Sequence, residues 1–296
     1  VCYTTTELLK EYHTIMAGYK NSILQLAPVS FVTFDADNMY NPATGKLESP
    51  FIVDESGNNN DIYLQTDSNQ LPSYLMGQPS LVQREVNVGQ HSITIAPYGA
   101  TLYNPFTYEK TLLEMFNNTQ TDFTYDYTVM MNFNKVHDLE LQGKTYNATT
   151  GRYDLSSTIR TTRRYLFNKG STIQAYFQHA TLGTFLVVVY PNSIQQYLIP
   201  DITKFFGVTN HFTVTHRRVQ RGSGLFYLER RAYINGETII SSDSALISTV
   251  PTANNTAAWY FGGTNDVVDL NTLDDRQTTP LTLDQIALFD KCLSVT

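Results

Sequence analysis

The sequence predicts an all-β protein, a two-sheet antiparallel β-sandwich with an α-helix at its N-terminus. Three observations carry this. Between residues 210 and 241 the chain reads N-H-F-T-V-T-H-R-R-V, a short polar bend, G-L-F-Y-L-E-R-R-A-Y-I, Asn235-Gly236, then E-T-I-I-S. Phe212 and Val214 alternate with Thr213 and Thr215. Phe226, Leu228, Ala232 and Ile234 share one face, while Tyr227, Glu229, Arg231 and Tyr233 share the other. That period of two marks half-buried strands. Asn-Gly supplies the two positive-φ positions of a type I′ turn, so three strands fold back on one another and leave an apolar face that a second sheet must cover. The second observation is composition: 20 Tyr and 16 Phe in 296 residues favour sheet. The third is that the one long helical signal lies at the N-terminus.

That signal runs from Thr4 to about Leu26. Thr4-x-x-Glu7 is a capping box, which satisfies orphan N–H groups at a helix start. Leu8, Leu9, Tyr12, Ile15, Met16, Tyr19, Ile23 and Leu24 form one helical stripe, and Pro28 ends it. The predicted division is an N-terminal helical arm over 1–27 and a sandwich over 28–296. Leu8, Leu9, Tyr12, Ile15 and Met16 are too apolar to be left in water. They are expected either on the chain's own sandwich or as a docking arm for a neighbouring subunit.

Strands follow in order. V-S-F-V-T-F at 29–34 is the first; short strands flank the Asp54–Asp61 turn, and strand, turn, strand is read over 83–108. The E-K-T-L-L-E-M-F-N run at 109–117 reads as one or two helical turns. Phe123 to Phe133 carries apolar or aromatic residues at most positions and is expected as a central strand covered on both faces. Residues 164–168, 172–177 and 184–190 are strands, the last stopped by Pro191. Residues 195–206 read as an insertion without a clear period.

The bulk numbers exclude several classes. Hydrophobic content of 42% against 16% charged gives a sizeable core and argues against disorder. A net charge of −7 argues against nucleic acid as a general partner. No apolar run reaches the length of a membrane span, and no cleavable signal is read before Val1. Cys2 and Cys292 are too few for a disulfide framework and are expected as free thiols. Six histidines show no metal-pair spacing, and there is no nucleophile elbow, phosphate loop or dinucleotide fingerprint.

Tyr19…Ile23-Leu24…Pro28-Val29-Ser30-Phe31…Phe34, then Asp54-Glu55-Ser56-Gly57-Asn58, resembles the opening of a laminin-G-like domain of the concanavalin A-like lectin/glucanase superfamily, as found in phage, viral and bacterial surface proteins. Leu75 to Val82, His211 to Thr215, Ala232 to Gly236, Ala257 to Gly263 and Leu281 to Ser294 resemble its later landmarks in order. The resemblance implies a concanavalin A-like jelly roll. It also implies a place to look for catalysis, because the glucanase branch sets paired carboxylates on one strand at Glu-x-Asp spacing. Asp138-Leu139-Glu140 and Asp122/Asp126 come nearest, but neither fits, and no catalytic residue is assigned.

Members of this superfamily bind Ca²⁺ through rim oxygens, and Asp54, Asn58, Asn60 and Asp61 form the densest oxygen cluster, against the plain alternative of a polar turn. Tyr98, Tyr103, Phe106 and Tyr108, around Gly99 and Pro105, are candidates for stacking on a sugar, with packing under a loop as the alternative. Arg217, Arg218 and Arg221 are candidates for an interface with an acidic neighbour or anionic glycan, with a solvated strand face as the alternative. Trp259 is expected in the core. The resulting expectation is a non-enzymatic virion structural or accessory protein of a capsid or tail, partnered by other virion or surface subunits. The alternatives are a carbohydrate-binding receptor or adhesion module and a divergent glycoside hydrolase.

Overall fold

The computed structural model describes residues 20–33, 40–41, 46–47, 51–65, 74–79, 91–95, 112–115, 123, 125–135, 146–147, 152–153, 163–180, 182–201, 205, 208–222, 224–245, 257–262 and 281–294. The strands among them are β1 (Ser30–Val32), β2 (Tyr40–Asn41), β3 (Lys46–Leu47), β4 (Phe51–Ile52), β5 (Ile62–Gln65), β6 (Tyr74–Pro79), β7 (His91–Ile95), β8 (Leu112–Met115), β9 (Tyr127–Lys135) and β10 (Tyr146–Asn147). They continue as β11 (Arg152–Tyr153), β12 (Arg163–Lys169), β13 (Ile173–Ala180), β14 (Gly183–Tyr190), β15 (Ser193–Ile199), β16 (Asn210–Arg221), β17 (Leu225–Ile234), β18 (Glu237–Ala245), β19 (Trp259–Phe261) and β20 (Leu281–Phe289). The fold is the expected all-β sandwich. One sheet runs β18-β17-β16-β9-β20-β7-β6, with β1 also pairing β20; the other runs β15-β14-β13-β12-β19-β8-β5-β4.

Helix is a minor part of the described chain, a single stretch over 20–25. It lies on the outer face of the first sheet, where Ile23 packs with Phe31, Ala287 and Phe289, and Leu24 with Met130 and Leu293 beside them. The arm residues Leu8, Leu9, Tyr12, Ile15 and Met16, and Cys2, lie outside the described residues.

The core forms because alternation on the paired strands is in phase. Across β9, β16, β17 and β18 the register sets Met131, Phe212 and Ile234 in one inner row and Val129, Val214, Ala232 and Ile240 in the next. Facing them from the other sheet are Phe167, Ile173, Ala175, Phe177, Leu186, Val188, Trp259 and Phe261, all buried. β9 is the central strand expected, with Thr128 and Asn132 on its outer face buried as well.

Two expectations fail. The 109–117 run is not helical: its middle is β8, held between β5 and β19. Weak helix propensity yields to a place in the middle of a sheet. The first part of the 195–206 segment belongs to β15, an edge strand whose alternation Ile194 out, Tyr197 in, Leu198 out, Ile199 in is hidden in sequence by two adjacent glutamines.

The Asn235-Gly236 turn has φ of +52° and +82°, as its sequence predicts. Asn235 also ties the hairpin down, its side-chain oxygen accepting from the His211 N–H at 2.8 Å. A Cβ at Gly236 would meet nothing within 4 Å, so any cost of substitution is backbone strain alone. Gly236→Val is expected to destabilise by about 1–2 kcal/mol. A melting temperature equal to wild type would refute this.

Candidate functional site

One row beyond Val129/Val214/Ala232, the inner face of the first sheet turns polar. Tyr127 on β9, His216 on β16, Arg230 on β17 and Ser242 on β18 are register partners across four strands. Tyr127 and His216 are fully buried, and Arg230 is 3% exposed. The His216 ring lies between Tyr127, 5.3 Å away and stacked, and Tyr190 of β14, 5.9 Å away and stacked. Nδ1 of His216 is 2.6 Å from the carbonyl of Tyr125. A carbonyl only accepts, so Nδ1 carries the proton and Nε2 holds the lone pair in the neutral ring. Burial lowers the His216 pKa to about 4, with Arg230 adding to the shift and the Tyr125 carbonyl opposing it.

The other members are held similarly. Tyr190 donates to the Arg231 carbonyl at 2.9 Å, and Arg230 Nη1 to Ser244 at 2.7 Å. Burial raises the phenol pKa of Tyr127 and of Tyr190 and lowers that of the Arg230 guanidinium. Tyr127 OH, His216 Nε2 and Arg230 Nε are buried without a hydrogen-bond partner among the described residues. A neutral imidazole, a phenol and a guanidinium are the right groups to polarise an acidic substrate and move its proton. Here all three are closed from solvent by their own sheets.

Trp259 occupies the core position expected of it, edge-on to Phe123 at 5.3 Å and 6.0 Å from Phe167. The ammonium of Lys169 is fully buried, 5.6 Å from the Phe123 ring and 5.7 Å from the Trp259 ring, and it donates to the Ala257 carbonyl at 2.6 Å. Burial lowers its pKa to about 8. The sequence did carry a signal for this polar layer. His216 and Arg230 fall in step with the apolar residues of their strands, where a charge has to be buried.

The arginines of the meander divide into two kinds. On the outer face Arg217 pairs with Glu229 at 2.6 Å, and Arg221 pairs with the same carboxylate and with Asp243 at 2.9 Å. Arg231 completes the chain on Asp243 at 2.6 Å. Burial pushes the Glu229 pKa up, but hydrogen bonds from Arg221 and Arg217 outweigh it and the net shift is downward. The Arg231 hydrogen bond leads the downward shift of Asp243. Arg217 and Arg221 are therefore committed within the chain. Arg218 is not: its guanidinium lies 4.1 Å over Tyr125 and 5.1 Å over Phe226, exposed past the buried row, with no ion pair among the described residues. Asp126, one of the carboxylates nearest to a catalytic spacing, accepts the Arg218 backbone N–H at 2.8 Å.

The Asp54–Asp61 loop is a clasp on β1. Asp54 Oδ1 accepts from the N–H groups of Phe31 and Ser56, both at 2.9 Å. Its Oδ2 accepts from the Ser56 hydroxyl at 2.8 Å and the Asn60 N–H at 3.0 Å. Asp61 accepts from the Asp54 N–H at 2.8 Å. Asn58 and Asn60 present amide N–H groups to the Val29 carbonyl. Four donors crowd the Asp54 carboxylate where a hard cation would need its lone pairs, so this set does not fit Ca²⁺. Asp54→Ala is expected to cost about 2 kcal/mol by orphaning three backbone N–H groups. Chelator and added Ca²⁺ should leave wild-type melting unchanged; a Ca²⁺-dependent rise would restore the metal reading.

Tyr98, Tyr103, Phe106 and Tyr108, and the Asp138/Glu140 pair, lie outside the described residues.

No family model and no curated protein matches the chain. Among solved structures, it is similar to a Ruminococcus gnavus IT-sialidase CBM40 bound to α2,3 sialyllactose. The identity is 10% and the TM-score 0.33, over 58% of this chain and 79% of that one. A Trypanosoma rangeli sialidase in complex with sialic acid matches at 9% identity and a TM-score of 0.43, over 90% of this chain and 31% of that one. Mouse laminin α1 domains LG4-5 match at 10% identity and a TM-score of 0.33, over 59% of this chain and 38% of that one. The chain thus spans under a third of the sialidase's length. Likenesses of this strength speak for no substrate and no activity.

Proposed function

We propose that the chain is a non-enzymatic structural or accessory subunit of a virion, in its capsid or tail, that acts through surface contacts of a lectin-like sandwich. The observation that carries the reading is where the sandwich spends its polar and apolar groups. The inner row that holds its acid–base side chains is shut, with Tyr127 and His216 at zero exposure. On the outside, Leu182, Ile194 and Leu198 are 59%, 61% and 45% exposed on neighbouring parts of one sheet. By register they continue a buried outer-face cluster, Ile194 beside Val189 and Leu198 beside Phe185. Exposed apolar surface joined to a packed cluster is what a subunit contact leaves on an isolated chain. Immunogold labelling of purified particles with antibody to this chain should mark the particle surface. Label confined to free protein would overturn the reading, as would hydrolysis of a β-glucan that Glu140→Gln abolishes.

One observation favours a second reading, a carbohydrate-binding receptor module. Arg218 and Phe226, both exposed, form with the half-buried Tyr125 a platform of guanidinium and rings. Glycan binding lost in both Arg218→Ala and Phe226→Ala would establish it.

A further inference from the structure

The sheet edge at β15 stands out against the opposite edge on the same side of the sandwich. β18 is a defended edge: Glu237 is exposed at its start, Asp243 is held in ion pairs with Arg221 and Arg231, and a register shift at Ala232/Tyr233 breaks its pairing with β17. Charges and irregularities of this kind keep an open edge from pairing with another chain. β15 has none of them. Its seven residues, S-I-Q-Q-Y-L-I, carry no charge, no proline and no glycine. It pairs with β14 through all seven, from Ser193 to Ile199, without a register shift, and among the described residues it ends the strand order of its sheet.

The pattern on its outer face reads the same in both directions: Ile194, Gln196, Leu198, all exposed. A strand pairs antiparallel with its own copy about a two-fold axis through its middle residue, here Gln196. In that register Ile194 of one copy faces Leu198 of the other, and Gln196 faces Gln196. Apolar meets apolar and amide meets amide. Leu198 also leans on Gly183, whose neighbour Leu182 is exposed, so the apolar strip widens beside the strand.

We propose that a second copy of this chain docks at β15, strand to strand and antiparallel, continuing the sheet across a two-fold axis at Gln196. The occupant is a second copy because the match is with itself: an isologous contact requires a self-complementary patch, and this one is. The absence of charge on β15 matters as well. Each chain carries a net charge of −7, and an uncharged strand lets two such chains meet without like charges at the seam. The proposal rests on the reading of the chain as an assembly subunit and names one of its contacts.

The test uses the full chain with Cys2 and Cys292 changed to Ser. Gln196→Cys in that background should give a covalent dimer under mild oxidation. Ile194→Cys alone should not, because residue 194 meets 198, whereas Ile194→Cys mixed with Leu198→Cys should. Sedimentation equilibrium should show a dimer that Ile194→Lys/Leu198→Lys converts to a monomer with an unchanged circular dichroism spectrum. A monomer throughout overturns the proposal, as does a dimer that Gln196→Cys does not trap, or association that runs on past two copies. A chain found on particles yet monomeric with Gln196→Cys untrapped sinks this contact and leaves the subunit reading standing. Loss of the particle label with trapping intact does the reverse.

Discussion

Trp259→Ala is expected to lower stability by about 3–5 kcal/mol. Trp259 is fully buried at the junction of β12, β19 and β8, beside Lys169 and opposite Met115 in register. Its ring contacts Phe123, Phe167 and Phe261 with centroids between 5.3 and 6.3 Å. Removing it strips packing from three aromatic rings that cannot collapse together, because each is fixed by its own strand or chain segment. Trp259→Phe should cost much less. The indole N–H has no hydrogen-bond partner among the described residues, so the change orphans nothing there and loses only volume. Urea titration followed by circular dichroism should give a lower midpoint at unchanged slope for both. Equal midpoints for wild type and alanine would remove Trp259 from the core.

Acidification supplies the second large effect. Burial holds His216 at about 4, below its ordinary 6.5, so between those values the unfolded chain takes up a proton that the folded chain refuses. Stability then rises with pH, is fully present above about 6.5, and falls by roughly 3 kcal/mol as pH drops through the folded value. His211, also lowered by burial, adds in the same direction. The groups facing His216 are Tyr127, Tyr190 and Arg230, none of which titrates in that window. His216→Gln keeps a donor and removes the titration. Its melting temperature should fall less steeply than that of wild type between pH 6.5 and 4.5, above the range where Glu229 and Asp243 protonate. Parallel slopes would count against a neutral His216.

The same two positions show what the sequence made legible. Trp259 and Phe261 alternate, and a period of two with large apolar residues reads as core from the residues alone. The meander and its Asn-Gly turn were equally plain, because the turn needs two positive φ values that few dipeptides supply. Residues 109–117 misled because four residues are too short to show a period, and their strand state comes from β5 and β19, which are distant in sequence. β15 was obscured because Gln195 and Gln196 are adjacent, one turned inward and one out, so polarity there does not alternate. The arginine cluster was visible as composition, but ion pairing follows from cross-strand register: Arg217 stands opposite Glu229, and Glu229 opposite Asp243. The oxygen-rich 54–61 loop looked the same in sequence whether it held a cation or its own backbone; only the directions of the N–H groups distinguish them.

The position of β20 has a consequence for how the protein comes into being. Leu281–Phe289 pairs with β1 on residues 30–32, with β9 along most of its length, and with β7 at its start. Leu281–Phe289 is thus the strand that joins the sheet's two halves. While the protein is being translated, β16, β17 and β18 can already have closed on β9, but β1 and the β6–β7 pair are not joined to that sheet until β20 has been made. Long-range closure of this kind is slow. The nascent chain holds the future flank of β9 open until β20 has emerged, so that interval, rather than the finished fold, is the stage at which the sheet is most exposed to mispairing.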